Sequence, residues 1–316
     1  MQHPLTFRKD HTFTITQFTD IHWKDGGTED QLTKRLMEDV LDTERPDLVV
    51  FTGDVIYTGY VTPGEPLCEQ PLQAFRDAIQ VAETRGIPWA VVFGNHDTET
   101  LITRTELMDT VLQQPHTVAQ HGPEEINGVG NYQLTITDSE GVAAAALYFF
   151  DSGNVSSLPH IKGYDWIRRD QIEWYTKQSE QLTSSNNEQT LPALAFFHIP
   201  LPEYQEVWNR ATCYGNKFEN VCCSPVNSGL FTAMVEMGDV MGTFCGHDHI
   251  NDYWGELHGI RLCYGRATGY NTYGQEGFPR GARMIRLHQG ERSFETWLRL
   301  ADGKVIRNQP EHNPTV

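Results

Sequence analysis

Ile87-Pro88-Trp89-Ala90-Val91-Val92-Phe93-Gly94-Asn95-His96-Asp97 is the stretch from which the rest of the chain can be read. Ile87 to Phe93 is an apolar run of strand length, bounded by Gly86 and Pro88 on entry and by Gly94 on exit, and it reads as a buried strand. An amide, an imidazole and a carboxylate follow it on consecutive residues. Gly-Asn is ordinary turn chemistry. Three polar groups at the mouth of a buried strand are nevertheless costly unless a ligand or a metal satisfies them. The other strand ends decide between the two readings, because they repeat the pattern.

The first predicted strand, residues 12–18, runs into Thr19-Asp20-Ile21-His22, whose Asp20 and His22 point to one side in an extended segment. Residues 47–51 form a second buried strand that opens into Thr52-Gly53-Asp54. Leu194 to Phe197 precede His198, and Val240 to Cys245 precede Gly246-His247-Asp248-His249. Phe150-Asp151 ends another strand, where a turn cap is the expected role for Asp151. Helices are predicted over 28–44 (stripe Leu32, Leu36, Val40, Leu41; cap Thr28 or Asp30), 71–85, 98–112, 166–182 and 229–237. Three strand–helix–strand units in the first hundred residues imply a largely parallel α/β sheet covered by helices, with ligands at the carboxyl ends of its strands. Residues 131–137 and 142–150 read as an antiparallel pair, and 253–257, 260–264, 281–287 and 293–298 as strands of a second sheet. Residues 201–227 read as a long insertion and 308–316 as a frayed tail.

The chain has 316 residues, enough for one large α/β domain or two smaller ones. Its 24 Lys and Arg face 42 Asp and Glu, a formal charge of -18, with no basic cluster to offset it. That field repels a long phosphate backbone, which argues against nucleic acid as a main partner; a small anion remains admissible where cations dominate locally. No apolar run reaches the roughly 20 residues of a membrane span, and the first ten residues lack the apolar stretch of a signal peptide. The expected location is the cytoplasm. The cysteines (Cys68, Cys213, Cys222, Cys223, Cys245, Cys263) include no C-x-x-C pair. Cys245 and Cys263 read as small buried residues, and the adjacent Cys222 and Cys223 as free thiols of a loop in a reduced compartment.

The strand ends therefore carry Asp20 and His22, then Asp54, then Asn95, His96 and Asp97, then His198, then His247 and His249. Oxygen and imidazole donors without thiolate suit Mn, Fe or Zn. They are too many for one ion and enough for two if a carboxylate bridges. The ordered set D-x-H, G-D, G-N-H-D, H and G-H-D-H resembles the calcineurin-like metallophosphoesterases, and it extends from Asp20 to His249. The resemblance implies a single domain over 1–316 (motif core 12–250, C-terminal strands 251–300, tail 308–316), folded as a four-layer α/β/β/α sandwich of two mixed sheets flanked by helices. It implies that Asp20, His22 and His249 bind one ion, that Asn95, His198 and His247 bind the second, and that Asp54 bridges. His96 would face the substrate and Asp97 would orient its ring. The implied activity is hydrolysis of a small phosphoester by in-line attack of a hydroxide held between the ions, His96 assisting the leaving group or the transition state. A phosphodiesterase or nuclease of the same superfamily, and a non-catalytic scaffold, are the alternatives.

Gly53-Asp54-Val55-Ile56-Tyr57 also resembles the purple acid phosphatase motif G-D-x-x-Y, whose tyrosine ligates ferric iron. That branch normally lacks a histidine where His22 stands, so Tyr57 is expected as a wall residue. Gly265 to Tyr270 resembles the corresponding stretch of the Dcr2-type phosphatases. Loops 59–66, 153–164, 202–225 and 265–279 are expected to rim the metals. Within them Arg266 is the candidate phosphate contact and Tyr270 or Tyr273 the candidate stacking residue; His160 is expected to be incidental.

Overall fold

The computed structural model describes residues 4–59, 68–99 and 102–314. In chain order the first elements are β1 (Thr12–Phe18), α1 (Thr28–Glu44), β2 (Leu48–Thr52), α2 (Pro71–Glu83), β3 (Trp89–Val92) and α3 (Arg104–Leu112). There follow β4 (Tyr132–Thr137), β5 (Ala143–Phe149), α4 (Arg169–Ser185), β6 (Ala193–Phe196), α5 (Glu203–Arg210), β7 (Cys213–Tyr214), α6 (Leu230–Met237) and β8 (Val240–Cys245). The rest is β9 (Trp254–Leu257), β10 (Ile260–Tyr264), β11 (Gly281–His288), β12 (Phe294–Leu300), β13 (Val305–Ile306) and β14 (Glu311–His312).

These strands form two mixed sheets flanked by helices. One has the order β13-β12-β11-β1-β2-β3 and the other β14-β7-β9-β10-β8-β6-β5-β4. In the first, β1, β2 and β3 run parallel, with Ile15 opposite Leu48 and Val49 opposite Trp89. In the second, β5, β6, β8 and β10 run parallel. Each parallel block is extended by antiparallel strands, so neither sheet is the largely parallel one expected from the first hundred residues. The C-terminal strands do not make a sheet of their own either: β9 and β10 join the second sheet, while β11 and β12 join the first.

Burial explains the layering. β1, β2 and β3 are almost wholly buried, as strands covered on both faces must be. Ile15, Phe18 and Phe51 from one sheet share a core with Leu147, Phe149, Phe196 and Phe244 from the other. Helices α1, α2 and α3 bury Met37, Val40, Phe75, Ile79, Leu107 and Met108 in this core. A second cluster seals the far face of the larger sheet, where Tyr175 of α4, Tyr204 and Val207 of α5 and Met234 of α6 pack.

Helix α1 differs in detail from its expected form. Leu32 is exposed, and the buried face is Thr33, Leu36, Met37, Val40 and Leu41. Neither Thr28 nor Asp30 caps it: the cap position is Gly27, and the Asp30 carboxylate instead collects the N–H groups of Lys24, Asp25 and Gly26. The expected helix over 98–112 is a short 3-10 turn at His96–Thr98 followed by α3. The described part of the tail, residues 308–314, is not frayed, because β14 pairs with β7 and the His312 ring stacks on Trp208 at 3.8 Å between centroids.

No helix among the described residues is long and apolar enough to cross a membrane.

Candidate metal centre

The carboxyl ends of β1, β2, β3, β6 and β8 converge at one edge of the sandwich, and the loops there are stapled to one another through their carboxylates. The backbone N–H of His96 donates to Asp54 Oδ1 at 2.8 Å, and that of His247 to Asp20 Oδ1 at 3.0 Å. His22 N–H reaches the Asp54 carbonyl at 2.9 Å. A glycine is obligatory at position 94, since a Cβ there would overlap Asp54 Oδ1. Four of the polar residues hold left-handed backbone that is unusual without glycine: Asp20 (φ 53°), His22 (52°), Asp54 (51°) and His247 (78°).

Two groups of donor atoms result, each within 4.8 Å of one another: Asp20, His22, Asp54 and His249 in one, and Asp54, His198 and His247 in the other. Asp54 belongs to both. Its Oδ2 lies 3.1 Å from His198 Nε2 and 3.5 Å from His22 Nε2. Asn95 Oδ1 is 3.2 Å from His198 Nε2 and thus borders the second group. Asp54 Oδ2, His22 Nε2 and His247 Nε2 are buried and make no hydrogen bond. Asp54 Oδ2 and His22 Nε2 lie 3.5 Å apart, and orphaned acceptors so close together fit a cation; in the second group it is His247 Nδ1 that faces His198 Nε2, at 3.3 Å. His198 Nδ1 lies 2.8 Å from the Thr52 carbonyl, the outer-shell contact that fixes a ligand imidazole with its other nitrogen inward.

Protonation fits the same use. Burial pushes His22 down to about 4 and His247 down to about 3, which leaves both rings neutral with lone pairs available. Burial opposes the charge on Asp20, but the His249 ring beside it outweighs that and brings the carboxyl down to about 2. Asp54 is likewise held well below the usual carboxylate range against its burial, by His198 and His96. Despite burial, Asp54 raises His198 to about 9, so without metal a proton sits where a cation would.

Around this centre the expected residues take different places. Asp97 does not orient the His96 ring. Its carboxylate accepts the N–H groups of Asp54 at 3.0 Å, Gly94 at 2.7 Å and Ile56 at 2.9 Å, and so welds the β2 loop to the β3 loop. The partner of His96 Nδ1 is Glu99 Oε2, at 2.9 Å. Arg266 does not offer its guanidinium to a ligand: it is ion-paired with buried Asp252, donates to the Pro279 carbonyl and lies over the Phe278 ring. Tyr270 packs against the core, and its N–H donates to Thr33 Oγ1. Tyr57 is a wall residue, stacked on His22 at 5.5 Å and tilted against His96 at 5.0 Å. Tyr273 lies over His249 at 4.2 Å, its hydroxyl donating to Glu219 at 2.7 Å.

Loops 153–164, 202–225 and 265–279 all reach the centre, through Tyr164 against His247 at 4.4 Å, Cys222 N–H on Asp248, and Thr272 on His249. Of the expected rim loop 59–66, residues 60–66 lie outside the described residues. Asp151 caps its turn, accepting from Gly153 N–H at 2.9 Å, and pairs with Arg104 at 2.8 Å. Arg104 in turn donates to the Gly94 carbonyl, and Asn154 to that of Asn95. Glu99, Arg104, Asn154 and Tyr164 were not singled out from the sequence; the spacing of Glu99, three residues past His96 on a tight turn, is the one signal that could have found any of them.

The calcineurin-like phosphoesterase family model matches residues 13–251. The chain belongs to that family. It is 36% identical over 336 residues to "probable inactive purple acid phosphatase 29" of Arabidopsis thaliana, covering 94% of this chain and 85% of that one. It is 33% identical to phosphatase DCR2 of Saccharomyces cerevisiae over 91% of this chain and 54% of that protein. Among solved structures, a dimetal phosphatase from Danio rerio superposes with a TM-score of 0.60 over 90% of this chain and 98% of its own; at 14% identity that likeness speaks for the fold.

Proposed function

We propose that the chain is a hydrolase of small organic phosphoesters that works with two metal ions, drawn from Mn, Fe and Zn. The observation that carries this reading is the pair of donor groups sharing Asp54, whose orphaned Oδ2 stands at their junction. Asp20, His22, Asp54 and His249 would hold one ion, and Asp54, Asn95, His198 and His247 the other. Bound ions would supply a nucleophile by lowering the pKa of water, and positive charge for the phosphoryl oxygens.

The protein's own groups do the rest. Burial of the donors keeps water from competing, and the staples between loops hold them without reorganisation. Despite burial, Asp54 and Glu99 raise the pKa of the His96 ring, which favours a proton on it. From there it can be given to the leaving oxygen. With a formal charge of -18, the chain favours small over polymeric anions. We read it as one domain. All six cysteines are unpaired, which supports a reducing compartment such as the cytoplasm.

A second reading, metal binding without turnover, is favoured by the Arabidopsis relative, which is named as probably inactive. Both are tested by reconstituting the protein with Mn²⁺ and offering 4-nitrophenyl phosphate and bis(4-nitrophenyl) phosphate, with Asp54→Ala as control. Hydrolysis that disappears in the variant is the expected result, and the preferred ester separates monoesterase from diesterase. Bound metal with neither ester cleaved would favour the second reading.

A further inference from the structure

Three tyrosines bracket the histidine donors. Tyr57 lies on His22 and Tyr164 on His247, both half-buried, whereas Tyr273 is 54% exposed. One face of the Tyr273 ring lies over His249, 4.2 Å between centroids and tilted by 31°, so its exposure belongs to the other face. His249 Nε2 in turn lies 3.5 Å from Asp20 Oδ1, within the first donor group. We propose that this outer face of Tyr273 is the platform on which the substrate's leaving group stacks, so that the preferred substrate is a phosphoester of a flat aromatic group. The proposal rests on the phosphoesterase reading above and narrows its substrate class.

The ring is fixed as a platform must be. Its hydroxyl donates to Glu219 Oε2 at 2.7 Å, while Glu219 Oε1 accepts the Ile250 N–H at 2.8 Å. One carboxylate therefore fastens the ring to the turn that carries His249. Behind it, Arg280 Nη2 donates to the carbonyls of Thr272 and Tyr273, at 2.6 and 2.9 Å. A side chain so anchored has little rotamer freedom left to lose when a ligand docks.

The chemistry of the surroundings selects the ligand. Arg104 is spent on Asp151 and on the carbonyls of Gly94 and Gly153, Arg266 on Asp252 and the Pro279 carbonyl, and Arg280 on the two carbonyls above. Lys24 Nζ lies over the Tyr57 ring, 5.0 Å from its centroid. At Tyr273 the rim thus offers a π face and no guanidinium for a second phosphate. Stacking asks of the ligand a π face of its own and no matched pattern of donors and acceptors.

The test measures binding to the zinc-loaded full chain by calorimetry, with benzylphosphonate and cyclohexylmethylphosphonate as probes. Neither can be hydrolysed, and they match in carbon count but differ in the flatness of the ring. The parent should bind benzylphosphonate roughly fivefold more tightly. Tyr273→Leu should erase that ratio and Tyr273→Phe should keep it, with zinc content checked by elemental analysis. In NMR spectra the benzyl protons should shift upfield on binding to the parent and to Tyr273→Phe, a readout that holds even if Tyr273→Leu loses its metal. The methylene phosphonate analogue of adenosine 5′-phosphate separates two sources of the aromatic group. Tighter binding than benzylphosphonate would point to a base one sugar away, and weaker binding to an aryl group beside the ester; either supports the platform. Equal affinity for the two ring phosphonates in the parent, a ratio that survives in Tyr273→Leu, or no binding of either would overturn it. Hydrolysis of the 4-nitrophenyl esters is read separately. A parent that shows the preference without turnover loses the phosphoesterase reading and keeps the platform, whereas turnover without the preference does the reverse.

Discussion

His96 and Asp97 are neighbours with opposite duties, and their substitutions should separate cleanly. His96→Ala should lower turnover by about 10²–10⁴-fold, with bound metal unchanged by elemental analysis. Asp97→Ala removes the acceptor of three buried N–H groups, each costing about 1–3 kcal/mol when left unpaired. Its first effect should be a lower urea midpoint, with metal retention failing as the loops part. The donors themselves were legible because imidazole and carboxylate stand directly after apolar runs. Which carboxylate holds the His96 ring was not: Asp97 and Glu99 are both acidic and near, and only the direction of the turn chooses between them. Arg266 was misleading for a related reason. A lone arginine in a rim loop looks free until its partner, Asp252 on another loop, is seen.

Among elements, most strands and helices followed from apolar runs and the 3.6-residue period, and the exceptions share a cause. Helix α5 carries Tyr204, Val207 and Trp208 at helical spacing, yet at 8 residues within a long insertion it was too short to stand out. β7 and β14 have 2 residues each and are recognisable only through their partners, β9 and β14 for the one and β7 for the other. The partners of the C-terminal strands were equally hidden, since alternation shows that a strand has a buried face without saying which sheet supplies the other. The docked tail gives a prediction at this scale. Ending the chain at Asn308 would remove the His312 ring from Trp208 and the Gln309 amide from the Asp252 carbonyl. Those two contacts alone are worth about 2 kcal/mol, and the pairing of β14 with β7 and the bond from Gly215 N–H to the Pro310 carbonyl go with them, so stability should fall by at least that much, read as a shift in urea midpoint.

For the whole molecule, folding and metal loading are linked. A cation present at a hundred times its dissociation constant should add about 2.7 kcal/mol to stability, so a chelator should lower the melting temperature and added Mn²⁺ restore it. Loading should also expel a proton. In the metal-free protein His198 titrates near 9 because Asp54 lies beside it, while His22 and His247 are already neutral near pH 7. Below about pH 9 the ion must displace the His198 proton, so affinity should rise by about tenfold per pH unit between 7 and 8.5 and level off above 9. Calorimetry in buffers of different ionisation enthalpy would count the proton directly. A pH-independent affinity would mean that no proton occupies the site.

The left-handed backbone at Asp20, His22, Asp54 and His247 has a consequence for how such a chain changes over time. Each of these conformations costs on the order of 1–3 kcal/mol outside glycine; at Asp20 and Asp54 the backbone N–H groups their carboxylates accept offset that cost, whereas at His22 and His247 backbone conformation alone would favour glycine. A lineage no longer selected for its metals would drift downhill at these codons first, gaining robustness as it shed ligands. A chain that still carries both histidines is holding a tension that the backbone by itself would have relaxed.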